Sequence, residues 1–333
     1  MEKTDSHPFS CIDLGDFSWT NIDSLSAASV NSLAAVYPFH PLDLEDCLSK
    51  VQLPKIDEYQ DYLFIILHFP RYLKEKRFSV PSQVSLFLSR DFLVTVHSGE
   101  LKPINSLFES LRNKACQPDP DPSVQRRNCM ADALGGQVKP SPVFLLYRVI
   151  YSLVENLHIM TGKVLSDIED VEDRVFDEKV DAVREVTNLR HNIANFRRIA
   201  FPLKRVIHDL EKRIQRFTDE DMEIYFSDLT DYIDKVWHTL EECKETIEIY
   251  KDTDVVIGTD RTNRILAILT ILFTFSIPLT LLGTLYGMNV NLPGGIERPW
   301  TFLGPYSTFF MIIIAASVPV TIMFFLFRKM RWL

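Results

Sequence analysis

Two kinds of hydrophobic pattern divide this chain, and the sharper kind lies near its end. Ile265–Tyr286 is a run of 22 residues without a charge, and Tyr306–Phe327 is a second of equal length. Each exceeds the roughly 20 helical residues that cross a hydrocarbon layer of about 30 Å. Pro278 and Pro319 are compatible with spanning, because neighbouring helices re-satisfy the freed backbone groups. A buried core helix could explain one such run. Two in succession, flanked by Arg261 and Arg264 before the first and by Arg328, Lys329 and Arg331 after the second, read as transmembrane helices. The loop between them carries only Glu297 and Arg298. The positive-inside rule then places both termini in the cytoplasm and the loop outside.

The other pattern is that of a folded domain. Asp23-Ser24 predicts a cap for a helix through Val30, Leu33 and Val36. The apolar runs 62–67, 84–88 and 92–96 predict buried strands, the last two joined by Ser89-Arg90-Asp91. Seven prolines and glycines between Cys116 and Pro142 predict a linker or surface insertion. Beyond it, two long charged helices are expected over about 143–177 and 180–216. A third follows, in which Met222, Phe226, Leu229, Ile233, Val236, Leu240, Cys243, Ile247 and Tyr250 alternate at spacings of four and three, a seam that wants a helical partner. No Pro or Gly interrupts Asp221–Ile257, so this helix is expected to run on through Gly258 into the first span.

A different face of the same helix is polar. Counting in sevens from Asp228 reaches Asn263, Thr270, Ile277 and Thr284; a companion series from Asp231 reaches Asp252, Leu266, Thr280 and Gly287. Around a symmetric axis these positions would line a narrow conduit with hydroxyls and apolar constrictions. Alternatively, the hydroxyls bond back to their own helix or join helices together. Two spans cannot enclose a pore, so a conduit would require an oligomer.

Composition sharpens the division. Charged residues make up 24% of the 333, which excludes a disordered chain. Residues 261–333 carry a net charge of +5 and residues 1–260 carry −14. The five cysteines are odd in number and form no Cys-x-x-Cys pair, so neither a zinc ribbon nor a redox motif is expected. The first residues lack a basic region and an apolar run, so no secretory or transit peptide is expected. Nucleophile motifs, phosphate loops and metal-ligand histidine spacings do not occur. An enzyme, an ATP-driven pump and a nucleic-acid binder are not expected.

The first span ends in Tyr286-Gly287-Met288-Asn289, and a second span and a Trp-Leu terminus follow. Together with His40-Pro41-Leu42, Glu45-Asp46, Gln52-Leu53-Pro54-Lys55, Leu93–His97, Phe144–Tyr147, Phe201-Pro202-Leu203, Tyr225–Asp228 and Ile277-Pro278-Leu279-Thr280, this resembles the CorA family of magnesium transporters. The resemblance implies an α+β membrane protein assembled as a funnel-shaped homopentamer in a prokaryotic plasma membrane. Its parts would be a cytosolic α/β domain (1–115), the insertion (116–142), a helical stalk (143–264), a pore-lining span (265–286), an outer loop (287–305), a lipid-facing second span (306–327) and a basic tail (328–333).

It also implies functional residues. Gly287, Met288 and Asn289 match the selectivity filter. Asn263, Leu266, Thr270, Ile277, Thr280 and Thr284 match pore-lining positions, with Leu266 and Ile277 where methionine is often found. Asp228 and Asp252 match acidic positions of cytosolic regulatory metal sites between subunits. The implied cargo is Mg²⁺, with Co²⁺ beside it, and Mg²⁺ would also regulate; no organic cofactor is implied. Met288 favours Mg²⁺ over the zinc-transporting branch, which varies that residue. Rival readings are a Zn²⁺, Ni²⁺ or Co²⁺ transporter of the same fold, or a membrane-tethered scaffold that conducts nothing. Two departures stand out. Ser82-Gln83 occupies the place of an acidic pair that faces the stalk carboxylate, leaving Asp57 or Glu58 as substitutes, and the loop after Asn289 reads Val290–Glu297 rather than Met-Pro-Glu-Leu.

Overall fold

A computed structural model describes residues 9–49, 52–73, 78–115, 140–175, 183–288, 290, 294–295, 300–302, 304 and 306–329. It divides into two compact units, Met1–Lys251 and Asp252–Leu333.

The first unit is built on six strands: β1 (Ser10–Asp13), β2 (Ser18–Ile22), β3 (Lys55–Glu58), β4 (Leu63–Leu73), β5 (Phe78–Leu88) and β6 (Phe92–His97). They lie in the order β1-β2-β6-β5-β4-β3. Only the β2–β6 pair is parallel. The run from Leu63 to Leu67 is continuously apolar because both faces of β4 are covered. Leu63, Ile65, Leu67 and Phe69 point into one core, while Phe64 and Ile66 point into another. The second core is closed by α1 (Ala27–Val36) and α2 (Pro41–Leu48) through Val30, Leu33, Phe39 and Cys47. Helix α1 is capped by Ser26 rather than by Asp23 or Ser24: the Ser26 hydroxyl accepts the Ser29 N–H at 3.1 Å. Helix α2 opens on Pro41, and His40 Nδ1 accepts the Leu42 N–H at 3.3 Å.

The first core is closed by α3 (Lys102–Ala115), α4 (Pro142–Val175), α5 (Val183–Arg213) and the early turns of α6 (Glu223–Gly287). The expected seam is real. Met222, Phe226, Leu229, Ile233, Val236, Leu240, Cys243, Ile247 and Tyr250 are all buried. Their partners are α4 and α5, with Tyr147 against Phe226 at 5.9 Å and Phe201 against Trp237 at 5.6 Å. Arg197 donates to Glu241 from Nε at 3.0 Å and from Nη2 at 2.6 Å, which adds a polar tie between α5 and α6. Helix α5 is also fastened to the sheet. The Ser79 N–H donates to Asn192 Oδ1 at 3.1 Å, and Asn195 Nδ2 donates to the Ser79 carbonyl at 3.0 Å.

The second unit holds the remainder of α6 and helix α7 (Ser307–Lys329). Helix α6 continues without a break through Gly258 and Pro278 for 65 residues in all. By length and composition α4, α6 and α7 could each cross a membrane. The apolar stretch of α4 is 56% buried within the first unit, whereas those of α6 and α7 are 0% and 6% buried. The apolarity of α4 is therefore spent on the protein core.

Candidate functional site

The residues singled out in the second unit sort themselves by helix face. Ala267, Ile271, Thr274, Phe275, Pro278 and Leu282 are half-buried. Phe275 meets Phe327 of α7 edge-on, with ring centroids 5.9 Å apart. Asn263, Leu266, Thr270, Ile277, Thr280, Thr284 and Gly287 are exposed. At about 100° per residue their stripe is centred roughly 130° around α6 from the half-buried face. Helix α7 therefore covers one side of α6 and leaves the polar stripe open.

The hydroxyls on that stripe are committed in one respect. Thr270 donates to the Leu266 carbonyl at 2.7 Å, Thr280 to that of Ser276 at 2.9 Å and Thr284 to that of Thr280 at 2.6 Å. This is the back-bonding pattern anticipated from sequence. It occupies the proton of each hydroxyl and leaves oxygen lone pairs facing outward, so the stripe presents acceptors. At its end Met288 is exposed, and its N–H donates to the Leu285 carbonyl at 3.3 Å. Asn289 lies outside the described residues, as do Glu297 and the insertion from 116 to 139.

The acidic positions differ in surroundings. Asp228 is exposed on α6, one turn from Tyr225 and from Tyr232. Facing them on α4, Tyr147 meets Tyr225 edge-on with ring centroids 5.3 Å apart, and Tyr151 lies tilted against Tyr232 at 5.8 Å. Burial, and then the Asp228 charge, push the Tyr147 phenol up to about 12. The sequence reading missed this tyrosine surround, although the spacing of Tyr147 and Tyr151 by one turn was its visible signal. Asp252 is likewise exposed. Among the described residues no three His, Cys, Asp or Glu side chains gather into a metal-holding group.

Strand β5 begins at Phe78, so Ser82-Gln83 lies inside it rather than before it. Gln83 Nε2 donates to the Asp46 carbonyl at 3.0 Å and to Ser85 Oγ at 3.1 Å. Glu58 is ion-paired to Arg213 and Arg216, and Asp57 to Lys55 at 2.5 Å. Within one chain both proposed substitutes already neutralise cations. Asp46 receives Gln52 Nε2 and Lys55 Nζ, each at 2.7 Å. The motif strings around residues 40–55 thus tie α2 to β3.

A mixed sheet between two helical layers, a long helix carrying an open oxygen-bearing stripe, and a second apolar helix beside it describe a membrane transporter with a large extramembrane part. Residues 15–329 match the family of CorA-like Mg²⁺ transporter proteins, and the chain belongs to that family. It is 25% identical over 317 residues to the cobalt/magnesium transport protein CorA of Thermotoga maritima, covering 95% of this chain and 83% of that one. The fold is similar to the complete CorA magnesium transporter from Methanocaldococcus jannaschii, with a TM-score of 0.75 at 19% identity over 96% of this chain and 92% of that one. It is also similar to full-length CmaX, with a TM-score of 0.69 at 17% identity over 95% and 89%.

Proposed function

We propose that the chain forms a homopentameric channel for passive entry of Mg²⁺, with Co²⁺ as a second cargo, across a prokaryotic plasma membrane. Residues 265–286 and 306–327 would be its two spans and both termini would be cytoplasmic. The observation that carries this reading is the stripe from Asn263 to Thr284, an acceptor-bearing face that α7 leaves open. One such helix encloses nothing, and five around an axis would form a conduit with Leu266 and Ile277 as apolar constrictions.

The chemistry suits a hydrated divalent ion. Mg²⁺ gives up its waters reluctantly. Outward lone pairs on Thr270, Thr280 and Thr284 would accept the protons of those waters. At the mouth, five Asn289 amide oxygens beside the Gly287 and Met288 backbone would do the same without stripping the ion. A membrane potential of 100 mV, negative inside, supplies about 4.6 kcal/mol for a divalent cation, so no nucleotide is needed.

Asp228 and Asp252 fit a regulatory role as hard oxygen donors. Among the described residues neither level gathers three acidic or histidine side chains within one chain, so the remaining ligands would come from a neighbouring copy or from water. Bound Mg²⁺ would bridge subunits and hold the conduit shut; at low internal Mg²⁺, carboxylate repulsion would loosen it. Ion flux into proteoliposomes tests the reading, comparing Mg²⁺, Co²⁺ and Zn²⁺ and using Asn289→Ala as control. Mg²⁺ flux abolished by the substitution is expected. Absence of divalent flux would remove the channel reading, and Zn²⁺ flux without Mg²⁺ flux would reassign the cargo.

A further inference from the structure

A cavity of about 660 Å³ opens in the first unit, where the ends of β4 and β5 meet the start of α3 and the flanks of α4 and α5. Small-molecule sites run from roughly 300 to 1,000 Å³, so the volume is that of a metabolite rather than of a single ion. Three cationic side chains line it, Arg71, Lys102 and Lys163, each from a different element. Two acids accompany them. Glu100 is already ion-paired with Arg71. Asp167 is the other, its carboxyl raised from the ordinary value by burial and then by the nearby Asp170 charge, and the three cations outnumber the two acids.

The cavity also has an apolar wall and unspent donors. Leu101, Val164 and Phe196 are buried behind it, with Met160 beside them and the Tyr72 ring half-exposed at the rim. Arg71 Nε is buried without a hydrogen-bond partner among the described residues. The Arg71 side chain is 34% exposed, so an entering anion reaches its guanidinium, and a small reorientation would satisfy the enclosed Nε. Asn156 Nδ2 donates to the Met160 sulfur at 3.6 Å, a weak acceptor that an oxygen would readily displace. Helix α3 begins at Lys102, so its positive end adds to the cationic side.

We propose that this cavity binds a phosphate monoester of mononucleotide size, its phosphate between Lys102, Lys163 and Arg71 and its planar ring between Tyr72 and the Phe196 wall. Such a ligand would touch the sheet, α3, α4 and α5 together. It would therefore stabilise the junction that Ser79 makes with Asn192 and Asn195. The proposal does not depend on the transport reading.

The test uses the full chain in detergent micelles without divalent cations. Isothermal titration and thermal unfolding are run with AMP, GMP and inorganic phosphate, on wild type and on Lys102→Gln/Lys163→Gln. Both lysines are exposed, so the variant retains the wild-type circular dichroism and ligand-free midpoint. The expected result is saturable binding of AMP or GMP at one per chain with a raised midpoint. Inorganic phosphate should bind more weakly, and the variant should lose about tenfold or more in affinity. No binding of either nucleotide overturns the proposal. So does nucleotide binding unchanged in the variant, and so does phosphate binding as tightly as the nucleotides.

Discussion

The backbone N–H of Gly99 donates to Nδ1 of His97 at 3.1 Å. An accepting Nδ1 places the proton of the neutral ring on Nε2, which lies 3.1 Å from Asn21 Oδ1. The same oxygen accepts the Thr95 hydroxyl at 2.6 Å, and Thr95 Oγ1 in turn accepts the Trp19 indole N–H at 3.2 Å. A buried chain of polar groups thereby holds β2 to β6, the one parallel pair in the sheet.

That arrangement has a pH signature. Burial lowers His97 from 6.5 to about 4, with the Asp23 charge opposing. Between those values the unfolded chain binds the extra proton, so this contribution is complete above about pH 6.5 and is lost as pH falls toward 4. The loss is on the order of 3 kcal/mol. Denaturant unfolding at pH 7 and pH 4.5 should show a larger drop for wild type than for His97→Gln. Equal drops would exclude His97 as the source.

Gly99 is itself constrained. Its φ is +76°, and an added Cβ would lie 2.5 Å from the Asp23 carbonyl oxygen. Gly99→Ala is expected to cost about 1–3 kcal/mol through backbone strain, read as a lowered thermal midpoint with unchanged far-ultraviolet dichroism.

The seam of α6 predicts a contrast along one helix. Leu240 is fully buried, and Lys235 further up the same helix is exposed. Leu240→Ala should destabilise by about 2–5 kcal/mol, and Lys235→Ala by less than about 0.5 kcal/mol. Denaturation midpoints at constant slope measure both.

Thr280→Val and Thr284→Val remove two outward acceptors while keeping side-chain shape. The helix loses only back-bonds, so its dichroism should hold. Mg²⁺ flux in proteoliposomes should fall by about tenfold or more if the stripe faces the ion's waters. Undiminished flux would move the conduit to another face.

Asp228→Lys combined with Asp252→Lys should weaken inhibition by internal Mg²⁺, raising the half-inhibitory concentration by about tenfold or more. Unchanged inhibition would take both residues out of the gating scheme.

Periodicity carried the reading furthest where burial follows a single rule. The α6 seam, the runs within β4, β5 and β6 and the two charge-free stretches all repeat one chemistry at one spacing. Strands β1, β2 and β3 escaped it because they are short and chemically mixed; Thr20 and Asn21 are polar yet buried, satisfied by partners far along the chain. The cap of α1 was misplaced by two residues because Asp23, Ser24 and Ser26 are all competent caps, and only geometry chooses Ser26. The stripe on α6 was legible as a face, but its exposure depends on where α7 lies. The tyrosines around Asp228 and the cavity at Arg71 join residues from separate elements, and no spacing within one element encodes them.

The two hydrogen bonds between Ser79 and α5 also set a timetable. A one-residue slip in the β4–β5 ladder would send Leu63, Ile65 and Leu67 to the wrong core. The residues that pin the turn end of that hairpin, at Ser79, lie 113 and 116 positions further along the chain. At ordinary synthesis rates the hairpin waits on the order of ten seconds for its lock. For that interval the ribosome presents a long apolar hairpin whose alignment is still reversible, and chaperone demand during expression should be greatest there.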